Sequence, residues 1–311
     1  MEGNWVEGSN EIADAALNYF DHLFSADITV EDSNVLSVVK RVVTNEDNDD
    51  ITIIPNLEEV KEAVFSIDPH SSPSPDGLTG KFINHGATLP KFFTHTYIIM
   101  LPKVEAPQSF SDIRPINLCN VSSKIIAKIL NARLSKIFPK IITQNQSGFV
   151  KGRAITENIL LAQELVNDIG KPRKGANVVI KLDMAKAYDR VSWPFLCFML
   201  RKLGFAEVWI DLIHGFISNN WYSIIVNGGR HGFFKSGRGL RQGDPLSLSL
   251  FILYAELLSQ MLNNLYTNSR YKGYFMNDQG PKINHLSFAN DTIIFSSSMK
   301  FSLQLTVKTF S

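Results

Sequence analysis

Two carboxylates and one amide set the chemical question. The stretch HLSFANDTIIF, residues 285–295, carries Asn290 and Asp291 at a turn between two apolar runs, and ANVVIKLD, residues 176–183, is a nearly continuous apolar run ending in Asp183. Runs of this length and composition read as strands, the first pair closing as a tight hairpin. Aspartates at two strand ends, once adjacent, can hold two divalent cations about 3.5–4 Å apart, which activate a hydroxyl and stabilise a phosphate leaving group. At the turn, however, one of the two positions is an amide, where two-metal chemistry favours a second carboxylate. Two aspartates among 30 acidic residues carry little weight by themselves.

The elements that must position them follow from periodicity and punctuation. NEIADAALNYFDHLF reads as an amphipathic helix with Ile12, Ala16, Tyr19 and Leu23 on one stripe and Asn10 as N-cap. Residues 27–53 are acidic and weakly patterned, and read as a linker. NLEEVKEAVFSI is a second helix, capped by Asn56, with Leu57, Val60, Val64 and Ile67 on one face. DPHSSPSPDG, with three prolines and a terminal Asp76-Gly77, is neither helix nor strand. VSSKIIAKILNARLSKIF and residues 155–169 read as helices. A buried strand ends at Asp183, and Ser192-Trp193-Pro194 then opens a helix that stops at Gly204. YSIIVNGGRHGFFKS is a hairpin turning at Asn227-Gly228, and GDPLSLSLFILYAELLSQML is a long helix capped by Asp244.

Composition bounds the rest. The 311 residues, 44% hydrophobic and 20% charged, suit one large domain or two smaller ones. No apolar run approaches the roughly 20 residues that span a bilayer. The first residues lack the apolar core of a secretory signal. Cys119 and Cys197 are too few for a zinc site and read as small buried apolar groups. The net charge of +1 hides an asymmetry: residues 1–76 hold 17 acidic and 3 basic side chains, whereas residues 113–156 hold eight basic ones and no acid. That basic block implies either a polyanionic partner or a solvated helix face.

KLDMAKAYDRVSW, GLRQGDPLSLSLF and FAND, taken together and in this order, resemble the palm of reverse transcriptases. The likeness is greatest to the non-LTR (LINE-type) retrotransposon polymerases of plant genomes. It continues upstream through SPSPDGLTGKF, FTHTYIIMLPKVEAPQSFSDIRPINLCNV and NQSGFVKGRAITENILLAQELV. The resemblance implies an α+β fold: the fingers and palm of a right-hand polymerase, with an antiparallel palm sheet backed by helices. It implies residues 1–54 as a preceding helix and acidic linker, 55–176 as fingers and 177–311 as palm. Asp183 then resembles the first metal ligand, with the Met184 carbonyl beside it, and Asn290-Asp291 the second metal motif. Tyr188 matches the steric gate under the incoming sugar. Arg241, Gln242 and Gly243 match the segment against the nucleotide, with Asp244 better read as a helix cap, and Arg114 matches a fingers arginine for the triphosphate. Gln146, Gly148, Phe149, Lys151 and Arg153 fall in the template-binding stretch. For Asp189 and Arg190 a structural ion pair and a catalytic part stand open.

The implied reaction is extension of a DNA primer on an RNA template from dNTPs, with two Mg²⁺ ions or Mn²⁺ in their place, by a protein of nucleus or cytoplasm that has no membrane partner. Several features depart from the family. The turn reads Ala289-Asn290-Asp291 where the family has two aspartates, SPSPDG and Leu248 are milder changes, GKFINHGATLPKFF is short, and the chain ends before a thumb. These features imply a degenerate, truncated copy whose activity is impaired. The alternative is a nucleic-acid-binding remnant without the chemistry.

Overall fold

The computed structural model describes residues 5–25, 35–67, 94–167, 169, 176–275 and 282–310. The stretches DPHSSPSPDG and GKFINHGATLPKFF lie outside the described residues. Two compact units interleave along the chain. One comprises Met1–Val30, Thr44–Leu134 and Tyr188–Leu248, the other Glu31–Val43, Ser135–Ala187 and Ser249–Ser311.

In chain order the helices are α1 (Ser9–Phe24), α2 (Asn45–Thr52), α3 (Leu57–Phe65), α4 (Val121–Ile141), α5 (Ile155–Asn167), α6 (Trp193–Leu203), α7 (Glu207–Ser218), α8 (Pro245–Asn264) and α9 (Lys300–Lys308). The strands are β1 (His95–Pro102), β2 (Ile113–Leu118), β3 (Asn177–Asp183), β4 (Trp221–Val226), β5 (Gly229–Lys235), β6 (His285–Phe288) and β7 (Asp291–Ser297).

In the first unit a four-stranded sheet runs β2-β1-β4-β5. The β1–β4 pair is parallel and the others antiparallel. One face buries Ile98, Tyr222, Ile224 and Val226 against Ala13, Ala16, Phe20, Leu23 and Phe24 of α1. The buried stripe of α1 is thus centred on Ala13, Ala16 and Phe20, and Ile12 and Tyr19 flank it. The cap lies two residues before the expected one. Gly8 at φ 98 is the N-cap, and its carbonyl accepts from the Ile12 amide at 3.0 Å, which leaves Asn10 inside the first turn. The β4–β5 hairpin turns on Asn227 (φ 48) and Gly228 (φ 79), both left-handed as a two-residue I′ loop requires.

The expected linker contains α2. Thr44 and Asp47 form a capping box, so acids that look like linker composition are the cap and first turn of a helix. Its Asn48 donates to the Gly204 carbonyl at 2.9 Å and accepts from the Ala206 amide at 2.7 Å, tying α2 to the α6–α7 corner. In α3 the Asn56 cap forms, accepting from Glu59 N at 2.9 Å. The expected apolar face does not: Leu57 is 84% exposed, and among the described residues of α3 only Ala63 is buried.

In the second unit an antiparallel sheet runs β3-β7-β6. Leu165 of α5 packs with Tyr274, Leu286 and Phe295, and Leu262 of α8 packs with Leu265, Tyr271 and Ile294. The β3 strand is half-buried rather than enclosed on both faces. Helix α8 is long and apolar enough to cross a membrane by composition, yet 61% of that stretch is buried within the protein, as in a core helix.

Candidate active site

Asp183 and Asp291 are directly paired at the last rung of the β3–β7 ladder. Residues opposite each other in an antiparallel pair project to the same face with Cβ atoms roughly 4.5–5.5 Å apart. Both aspartates are exposed. Asn290 precedes Asp291 in the two-residue β6–β7 turn, half-buried. Ala289 opens that turn at φ 54, a conformation unusual for a side chain with Cβ. Among the described residues no group of three or more His, Cys, Asp or Glu side chains could hold a metal. Two carboxylates, with the Asn290 amide in the adjoining turn, suit one weakly held hard cation and a second one poorly.

The stretch from Asn145 to Gly148 docks beside the same turn. Gln146 bridges to Ser287 in parallel register, Ser147 N donates to Ser287 O at 3.0 Å, and Ser287 N donates to Asn145 O at 2.8 Å. Gln146 is buried, and its amide is bound to Ala289. This corrects the expectation that its side chain contacts template. Gly148 is buried beneath the turn, where a Cβ would overlap the Ala289 nitrogen. Phe149 is 56% exposed at φ 54, with its ring 5.6 Å from that of Phe288, the residue before the turn.

The basic block divides into buried and exposed charge. Arg153 donates to Gln146 O at 2.6 Å and to Ile142 O at 2.8 Å, and also to Thr143 O. Its guanidinium closes the carbonyls that follow α4, and burial lowers its pKa. Arg153 is therefore not a free phosphate ligand, a second correction to the template set. Arg133 is buried and forms a two-pronged pair with Glu59, both bonds at 2.7 Å. Lys136, Lys140 and Lys151 remain exposed.

The residues matched to nucleotide binding lie in the first unit. Arg114 is exposed on β2. Tyr188 is half-buried, and burial pushes its phenol up to about 12. Gly243 is exposed at φ 101. Gln242 is partly exposed and donates to Asp189 Oδ1 at 2.9 Å, while its carbonyl accepts from Asn117 N at 3.0 Å. Asp189 is thus a holder of Gln242, a part that spacing did not reveal. Arg241 is 2% exposed, paired with Asp244 at 3.0 Å, bonded to Ser123 Oγ and seated over the Phe216 ring. A guanidinium enclosed in this way does not reach a nucleotide, which corrects that expectation. Asp244 caps α8 as expected, accepting from Leu246 N at 2.9 Å.

Two buried titratable groups escaped the sequence. Glu256 of α8 accepts from Thr143 N at 3.2 Å, and burial pushes its carboxyl up to about 8. His285 is fully buried, and burial pushes its imidazole down to about 3. Both lie in segments whose apolar neighbours read as plain core.

An antiparallel sheet backed by helices, with aspartates at adjacent strand ends, is the fingers-and-palm fold of right-hand polymerases. The family model "Reverse transcriptase (RNA-dependent DNA polymerase)" matches residues 101–311, and the chain belongs to that family. Its relatives include non-LTR retrotransposon proteins. The uncharacterized 149 kDa protein of transposon TX1 from Xenopus laevis is 24% identical, over 96% of this chain and 24% of its own length. The retrovirus-related Pol polyprotein from type-1 retrotransposable element R2 of Popillia japonica is 29% identical, over 76% of this chain and 34% of its own. The chain thus spans about a third or less of these relatives' length. A solved telomerase from Candida tropicalis, in complex with a fragment of telomeric RNA, shares 14% identity at a TM-score of 0.48, over 70% of this chain and 38% of that one.

Proposed function

We propose that this chain carries the nucleotidyl-transfer centre of an RNA-directed DNA polymerase, with one cation ligand neutralised at Asn290. The observation that carries this reading is the pairing of Asp183 with Asp291 on one face at an exposed sheet end. Reverse transcriptases as a family use divalent metals. Here Asp183, Asp291 and the Met184 carbonyl would hold one Mg²⁺ or Mn²⁺, which would supply activation of the primer 3′-hydroxyl and charge neutralisation at the phosphate.

The chain's own residues do the remaining work. Arg114 offers a permanently charged fork to triphosphate oxygens of the dNTP. Gln242, oriented by Asp189, presents its amide to the nucleotide, and Gly243 lets backbone approach closely. Tyr188 excludes a ribose 2′-hydroxyl by bulk. Lys151 and the exposed Phe149 ring meet the template, the first through backbone phosphate and the second by stacking.

Asn290 retains the shape of an aspartate but not its charge. Two neighbouring dications need that charge, and a loss of ~3–5 kcal/mol in the transition state lowers the rate by about two to four orders of magnitude. Extension of a labelled DNA primer on RNA, with Mg²⁺ and with Mn²⁺, is the test. Background synthesis by the unmodified chain and Asp183-dependent synthesis by Asn290→Asp are expected. Robust synthesis by the unmodified chain would show that Asn290 disables nothing.

A further inference from the structure

We infer that Gln146 is a positioning residue, whose buried amide fixes the Ala289 backbone and so aims the Asn290-Asp291 turn at Asp183. The inference rests on the reading of Asp183 and Asp291 as a cation pair. The geometry begins with strain. Ala289 occupies the first position of a two-residue hairpin turn at φ 54, where a Cβ is disfavoured and glycine is the usual choice. Such a conformation persists only where its surroundings over-determine it.

Gln146 provides that restraint from both sides of one residue. Its Oε1 accepts from Ala289 N at 3.0 Å and from Gly148 N at 2.8 Å, and its Nε2 donates to Ala289 O at 3.3 Å. One side chain thus makes the two bonds a neighbouring strand would make. Two N–H groups converge on the same amide end, so the orientation of the amide is set by the network. At 2% exposure, water does not offer a substitute for these bonds.

The clamp is itself held at several points. Asn145 Nδ2 donates to His285 O at 2.9 Å, and Asn158 Nδ2 donates to Ser147 Oγ at 2.8 Å. Arg153 grips the Gln146 carbonyl at 2.6 Å. Gly148 leaves no room for a side chain between the clamp and the turn. A glutamate at 146 would keep the acceptor, lose the donor to Ala289 O and place a charge in a buried site. A methionine would fill the volume and lose every bond. The side chain therefore acts on the turn, while template contact falls to its exposed neighbours.

The test uses the full chain with Gln146→Met and Gln146→Glu, and reads three quantities. These are hydrogen exchange at the Ala289 amide, Mn²⁺ affinity by electron paramagnetic resonance, and the melting temperature. For Gln146→Met, Ala289 exchange about tenfold faster and Mn²⁺ affinity about five- to tenfold weaker are expected, with the melting temperature shifted by only a few degrees. Gln146→Glu is expected to lie between Gln146→Met and the unmodified chain. Adding Ala289→Gly to Gln146→Met is expected to recover most of the affinity, because glycine adopts the turn without the clamp. A role confined to packing predicts no such recovery. Unchanged Ala289 exchange, or unchanged Mn²⁺ affinity, in Gln146→Met overturns the inference. Mn²⁺ binding that is unchanged by Asp183→Asn alone would instead overturn the cation-pair reading, and the exchange rates would still decide the clamp.

Discussion

Asp183 faces Asp291 across the final rung of the β3–β7 ladder, two like charges set directly opposite at an exposed sheet end. Such a pair opposes folding unless a cation sits between. Asp183→Asn should therefore raise stability by about 0.2–1 kcal/mol in chelator at low salt, and by less as salt screens the pair. In Mn²⁺ the order should reverse, because the variant loses the ligand-linked stabilisation. Melting curves in chelator and in MnCl₂ check both halves.

Lys151 and Arg153 should separate cleanly. Lys151→Ala should leave stability within about 0.5 kcal/mol, weaken binding of unrelated RNA and DNA sequences about equally, and reduce the salt slope by about one. Arg153→Ala removes the donor that closes the Ile142, Thr143 and Gln146 carbonyls, and should cost about 1–3 kcal/mol in stability. Denaturant melts beside salt-dependent binding isotherms distinguish the two roles.

Glu256 gives the fold a pH dependence of known sign. Burial raises its carboxyl to about 8, against about 4.3 for an unperturbed glutamate, so the folded chain holds a proton that the unfolded chain has released. Its contribution is complete below pH ~4.3 and is lost as pH rises through about 8. Glu256→Gln should flatten that decline and exceed the unmodified chain in stability above pH 8. His285 acts on the acid side: its imidazole is held down at about 3, and stability falls as pH drops from ~6.5 toward that value. Melting temperature against pH for the unmodified chain and for Glu256→Gln reads both limbs.

Gly148→Ala should destabilise by about 1–3 kcal/mol, since the added Cβ overlaps the Ala289 nitrogen and the turn must shift. Paired with Ala289→Gly, which frees the turn, the loss should shrink. A double-mutant cycle by urea melts gives the coupling.

The strand ends, both hairpins and the caps at Asn56, Ser192 and Asp244 were legible because each rests on local rules: alternation, turn residues and a side chain within reach of its own backbone. Residues 45–52 were misread because capping acids and linker acids look alike without the Thr44–Asp47 geometry. Motif spacing located Gln146, Arg153 and Arg241 but not their bonds. Whether a cation or an amide faces ligand or backbone depends on partners as distant in sequence as Ala289 and Ser123. Glu256 and His285 were hidden for the same reason, since burial is a property of the packed unit.

The most direct test of the cation pair is Mn²⁺ stoichiometry and affinity by electron paramagnetic resonance, for the unmodified chain, Asp183→Asn and Asn290→Asp. One weak ion is expected in the unmodified chain, none in Asp183→Asn, and a tighter first ion with a second one in Asn290→Asp. Two ions in the unmodified chain, or binding indifferent to Asp183, would contradict the cation-pair reading.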